Sequence, residues 1–224
     1  MADNFDLERI ERQGRLTGAL LESAIATSAA LYAVIAAVYR RSPEALAHVD
    51  RVALMAVRVG EELGLAERAL DDLERAAWAH DLGKLVVPDR VSGPVDVSAG
   101  DVAQWSEQVV AASDMLRTAF FLRPAAEIVL ASRECMDGTG FPRRLEGEDI
   151  PLGARILHVA DTYDALNSLC IALGVSADAV SVELVRHAGT RFDPDVVAAC
   201  LRCSDPPPPR GAHPAPPAPP SVRG

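Results

Sequence analysis

Residues 73–84 read LERAAWAHDLGK, and the rest of the chain is best understood from there. Leu73, Ala76 and Ala77 recur at helical spacing, and His80 falls three and four residues after the two alanines, on the same apolar face. This points an imidazole inward, with the Asp81 carboxylate beside it and Gly83 just past a helix predicted over 71–82. Neighbouring residues on a helix diverge by about 100°, so His80 and Asp81 converge on one ligand most easily at a fraying end, where they sit. Histidine with aspartate suits a divalent transition metal. Taken alone, such a pair is more commonly a core histidine bonded to its neighbours.

Outward from this stretch nearly every segment has helical spacing. Ser42-Pro43-Glu44 supplies an N-cap, a proline at the first helical position and an acid in the first turn. Leu46, Val49, Val52, Ala53, Ala56, Val57 and Leu63 then form an apolar stripe that Gly64 ends. Residues 6–40 read as one long helix or two joined ones. Ser98 and Asp101 open a helix through Trp105, another follows Pro124, and others are expected over 154–172, 176–188 and 194–201. No strand pair is apparent. Hydrophobic residues make up 49% of the chain but aromatics only 4%, so the core must be built of Ala, Leu and Val. The expected class is all-α: a segment of helix over 1–41, a helical domain over 42–203 and a tail over 204–224. The last twenty residues carry nine of the 16 prolines and almost no large apolar side chains. Burial cannot offset their ordering entropy, which predicts a disordered, polyproline-like tail.

Acidic residues outnumber basic ones 32 to 22, for a net charge of −10, which excludes nucleic-acid binding over a broad surface. Cys135, Cys170, Cys200 and Cys203 do not make a disulfide framework in a chain of 224 residues. Cys200-x-x-Cys203 lacks a second pair, so packing is expected there and not zinc. The apolar stretch 23–39 is short for a bilayer and holds Ser and Thr. A helix packed in protein is expected, with no membrane span. The charged start of the chain is unlike a secretory signal, and a reducing cytoplasm is the expected compartment.

Two further sites raise the odds of a metal. His48 lies within the stripe of the helix opened by Ser42, with Glu44 one turn earlier. Asp161 sits in an apolar helix between Leu157 and Ala165, where a carboxylate is costly unless paired or metal-bound. His48, His80, Asp81 and Asp161, drawn from three helices, make a four-ligand set. Lys84 follows as a point charge suited to an anion. His158 and His187 read as packed or solvated.

Four segments in order, HVDRVALMA, AAWAHDLGKLVVPDR, MDGTGFPRRLEGEDIPLGARILHVADTYDAL and GTRFDPDVV, resemble the HD superfamily of metal-dependent phosphohydrolases. Within it they are similar to the HD-GYP family of cyclic di-GMP phosphodiesterases, over residues 44–201. The resemblance implies a compact HD-type helical bundle and a divalent transition ion such as Fe or Mn. It makes His48, His80, Asp81 and Asp161 the metal ligands, with Asp81 also orienting or deprotonating water. Lys84 matches a lysine that contacts substrate phosphate, and Glu44 an acid that joins a further metal in some members. The GYP tripeptide stands here as Gly140-Phe141-Pro142, in a loop (137–142) that the family also uses against signalling partners. The implied substrate is cyclic di-GMP or another nucleotide.

Departures from the pattern are as informative. Two adjacent metal-binding histidines are replaced by Ser132-Arg133, followed by the matching Glu134. The stretch WSEQVVAASDML contains no histidine. Gly93 precedes Pro94 where the family has lysine, and LCIALGV replaces an arginine-tyrosine segment. A single ion is therefore expected, with Arg133 either neutralising phosphate or salt-bridging Glu134. The rival expectation is an inactive regulatory module that binds a nucleotide or a signalling protein. The N-terminal helices are the expected surface for any homodimer.

Overall fold

The computed structural model describes residues 26–87, 99–176 and 178–204. The Ser98 cap, the Gly93-Pro94 turn, most of the first predicted helix and the proline-rich tail lie outside them. Among the described residues there is no strand, only an isolated bridge between Ala188 and Phe192. The all-α expectation holds. None of the described helices is long and apolar enough to cross a membrane.

Helix α1 is seen over 26–38. It places Ile35 at 0% exposure in the main core and stacks Tyr32 against Trp78, with ring centroids 5.1 Å apart. Helix α2 (Pro43–Glu62) begins after Ser42 as expected, with proline in its first turn, although the serine hydroxyl makes no capping bond. It buries Val49, Val52, Ala53, Ala56, Val59 and Gly60. Helix α3 (Glu67–Ala79) starts four residues before the predicted Asp71 and stops three before Leu82. Its early turn is solvent-exposed, so no apolar spacing marks it in the sequence.

After α3 the chain tightens into a 3-10 turn, Leu82–Leu85, packed on α4 (Ala99–Arg117). Gly83 is therefore not a helix stop. A Cβ there would lie 1.9 Å from the Gln108 carbonyl oxygen, so backbone meets backbone where only glycine fits. Gly83→Ala should lower stability by about 3 kcal/mol through forced displacement of the turn, measured by urea denaturation; a change near zero would contradict this packing.

Helices α5 (Arg123–Ala131), α6 (Leu152–Leu173), α7 (Asp178–Arg186) and α8 (Pro194–Ser204) complete the bundle. Helix α6 is its axis, packing against α2, α3, α5, α7 and α8. Between Ala154 and Asp164 it is buried nearly all round, which accounts for its lack of a polar face, and Gly174 ends it in the left-handed region at φ 66°. Val52, Leu73, Ile156, Leu157, Leu184 and Phe192 form one continuous core. Cys200 is fully buried within it, while the Cys203 thiol reaches the Arg58 carbonyl at 3.6 Å, so this pair packs as expected.

Candidate metal centre

Helices α2, α3 and α6 meet where His48, His80 and Asp161 lie, and one donor atom from each falls within 4.8 Å of the others. His48 Nε2 stands 3.3 Å from Asp161 Oδ1 and 3.9 Å from Asp81 Oδ2. His80 Nε2 stands 3.6 Å from both Asp161 Oδ1 and Asp81 Oδ1. All four residues of the expected set are thus brought together. Glu44, by contrast, is exposed on the first turn of α2 and lies outside the cluster.

Both imidazoles are held so that Nε2 faces the centre. His80 Nδ1 donates to the Ala77 carbonyl in the last turn of α3 at 2.6 Å, leaving Nε2 buried without a hydrogen-bond partner. His48 Nδ1 donates to Asp164 Oδ2 at 2.7 Å. Asp164 is itself gripped by Arg51, through Nε at 2.6 Å and a terminal nitrogen at 2.9 Å. Two imidazole nitrogens and the Asp161 carboxylate, with Asp81 alongside, are a donor set that fits a divalent transition ion, which would displace any proton on the Nε2 atoms. His80 Nε2 lies 3.6 Å from both carboxylates, beyond hydrogen-bond reach, so its lone pair is not satisfied by the protein. Asp164 and Arg51 escaped the sequence reading, although an acid three residues after Asp161 in an apolar helix was a usable signal.

Each charge around the centre is set by neighbours of opposite sign. Burial would lower the His48 pKa, but pairing with Asp161 and Asp164 and the charge of Asp81 outweigh it and raise it to about 9. Burial would raise Asp161, yet Arg133 and the two histidines hold it well below the usual carboxylate range. Asp81 is likewise lowered against burial by His80 and Lys84.

The centre opens on a cavity of about 540 Å³, within the range of small-molecule sites. His80, Asp81, Lys84, Trp105, Arg133 and Phe141 are among its walls. Lys84 Nζ reaches Asp81 Oδ2 at 2.7 Å, and an Arg133 terminal nitrogen reaches Asp161 Oδ2 at 2.6 Å. Arg133 does not pair with Glu134. That buried carboxylate instead accepts from the backbone N–H groups of Arg143 and Leu145, at 2.7 and 3.1 Å, and so fastens the 135–150 loop. Within the loop Gly140 is packed so closely that a Cβ would lie 2.3 Å from the Cys135 nitrogen. Phe141 follows along the cavity wall, with Pro142 half-buried beside it.

His158 is packed, as expected. Its Nδ1 donates to the Glu134 carbonyl at 3.0 Å and Nε2 accepts from Arg191 Nε at 3.2 Å. Burial, then the charges of Arg191 and Arg133, lower its pKa to about 3. The native state therefore refuses a proton that the unfolded chain takes up below about pH 6.5, so stability falls as pH drops from there toward 3. His158→Gln should shrink the loss between pH 7 and about pH 5 by roughly 2 kcal/mol, read from urea melts at both values; an unchanged loss would contradict a neutral His158.

A bundle of helices that gathers a histidine, a His-Asp doublet and a distant aspartate at one point is an HD domain. The HD domain family matches residues 33–196, which include all four of these residues, and the chain belongs to that family. Among curated proteins it is similar to the 3'3'-cGAMP-specific phosphodiesterase 2 of Vibrio cholerae, at 34% identity over 175 residues, covering 76% of this chain and 34% of that one. It is also similar to the cyclic di-GMP phosphodiesterase response regulator RpfG of Xanthomonas campestris, at 36% identity over 160 residues, covering 70% of this chain and 42% of that one. The chain thus spans less than half the length of these relatives. Among solved structures, an HDG"Y"P protein from Bdellovibrio bacteriovorus superposes with a TM-score of 0.59 at 20% identity, covering 71% of this chain and 52% of that one. At that identity the likeness is one of fold.

Proposed function

We propose that this domain is a metal-dependent phosphodiesterase of HD-GYP type, acting on a cyclic dinucleotide at a reduced, single-ion centre. One observation carries the reading: two inward Nε2 atoms and the Asp161 carboxylate cluster within 4.8 Å, with Asp81 beside both histidines, next to a cavity lined by lysine and arginine. The names of its relatives, phosphodiesterases of cyclic di-GMP and of 3'3'-cGAMP, support the substrate class.

His48, His80, Asp81 and Asp161 would hold one divalent ion. The chemistry such an ion supplies when bound is Lewis-acid activation of water and polarisation of a phosphoryl oxygen. Asp81 is kept ionised by His80 and Lys84, which suits it to orient an attacking water and makes it a weak proton acceptor. Lys84 is exposed and held only by Asp81, so it is free to turn toward a phosphate. Arg133 stands where the family pattern places one of two histidines, and its pairing with Asp161 supplies positive charge on that flank without a second ion. Trp105 and Phe141 offer flat faces to a base.

The test is a hydrolysis screen of ion-supplemented protein against cyclic dinucleotides and linear nucleotides, with the ion content measured on the same sample. The expected result is about one ion per chain and cleavage of a cyclic dinucleotide. Phosphate release from linear nucleotides alone would move the substrate class, and a protein that retains no ion under any supplementation would point to a binding module.

A further inference from the structure

We propose that Arg133 and Arg191 together form an ion-independent subsite for a phosphoryl group on the wall of the candidate catalytic cavity. It deepens the phosphodiester reading, on which it rests for the nature of the ligand. The subsite stands on three observations. Both arginines line the one cavity. Arg133 spends a single contact on Asp161 Oδ2, at 2.6 Å, which leaves most of its N–H donors for the cavity. Arg191 makes no ion pair among the described residues.

Arg191 is positioned without being neutralised. Its Nε donates to His158 Nε2 at 3.2 Å, and its guanidinium lies 5.0 Å from the centroid of the Phe192 ring. His158 can accept that bond only as a neutral imidazole, because its other nitrogen donates to the Glu134 carbonyl. A neutral acceptor and a ring fix the direction of the guanidinium and leave its charge in place. The chain carries ten more acidic than basic residues, so a cavity cation without an acid partner is a departure from its surroundings. Burial and the nearby Arg133 charge both lower the Arg191 pKa, a mutual repulsion that an anion between the two would relieve. Planar guanidinium groups match the oxygen spacing of phosphate. Lys84, a point charge on the Asp81 side of the same cavity, lacks this planar donor pattern.

The experiment uses the full chain stripped of ions by a chelator and titrated calorimetrically with inorganic phosphate at low ionic strength. Saturable binding is expected, weakened about tenfold by Arg191→Gln. Arg123→Gln serves as the control, since Arg123 lies 5.3 Å over Phe120 in the same manner but away from the cavity, and it should leave binding unchanged. The subsite is refuted by an absence of saturable binding, by equal weakening in both variants, or by acetate binding as tightly as phosphate. Failure of hydrolysis with Arg191-dependent phosphate binding intact would defeat the enzymatic reading alone, and the reverse result would defeat this subsite alone.

Discussion

His80→Ala protein is expected to purify without a bound ion and to lose hydrolysis by at least about a hundredfold, more than is usual for partners outside the ligand set. The reason lies in how the ring is held. Its Nδ1 is committed to the Ala77 carbonyl, which leaves Nε2 buried and unpaired beside two carboxylates. A purely structural histidine would have both nitrogens satisfied or one of them in solvent. Removing the ring deletes a donor but also deletes an unsatisfied polar atom, so the ion-free fold should lose less stability than a buried truncation normally costs. Ion content by elemental analysis and a thermal melt of chelated protein separate these effects. Retention of a full complement of ion by the variant would remove His80 from the ligand set and with it the single-ion centre. Collapse of the chelated fold would show instead that His80 is a packing residue.

What the sequence disclosed was governed by how local each signal is. The four candidate ligands stand in short motifs, and their helical spacing indicates which way each one faces, so the meeting of α2, α3 and α6 was legible from His48, His80 and Asp161. Glu44 sits one turn from His48, yet a residue on the first turn of a helix can face solvent while its neighbour faces the core, and here it does. The start of α3 was missed because Glu67 to Ala69 bury nothing. Gly83 looked like a stop, whereas its role is set by the Gln108 carbonyl of a helix some twenty-five residues away. The partner of Arg133 was equally non-local. The sequence left phosphate and Glu134 as alternatives, but that carboxylate is spent on the loop backbone and the guanidinium reaches Asp161 on another helix. Side-chain pairings across helices have no periodic trace in a single sequence, and Arg51–Asp164 was invisible for the same reason.

That last pair yields the second large effect. Asp164 lies behind His48, outside the cluster, so it acts on the ion only through the ring it orients. Its carboxylate accepts the His48 Nδ1 proton at 2.7 Å and thereby makes Nε2, facing Asp161, the nitrogen that would give up its proton to an ion. Against burial, which would raise it, hydrogen bonds from His48 and Arg51 keep Asp164 below the usual carboxylate range and therefore ionised. Asp164→Asn retains the shape and an acceptor oxygen but loses the charge that makes the ring a better donor, so ion affinity should fall about 10- to 100-fold. Arg51 is half-exposed and touches the centre only through Asp164. Arg51→Met should therefore weaken the ion several-fold at most, and should add nothing once Asp164 is Asn, because the interaction it serves is already gone. Ion titration of the four proteins, with the His48 tautomer read from its ring nitrogen resonances, distinguishes orientation from general destabilisation. A shared loss of stability with an unchanged tautomer would mark the pair as a structural brace between α2 and α6, whereas a tautomer that becomes mixed in Asp164→Asn in step with the affinity loss is the signature of a positioning role.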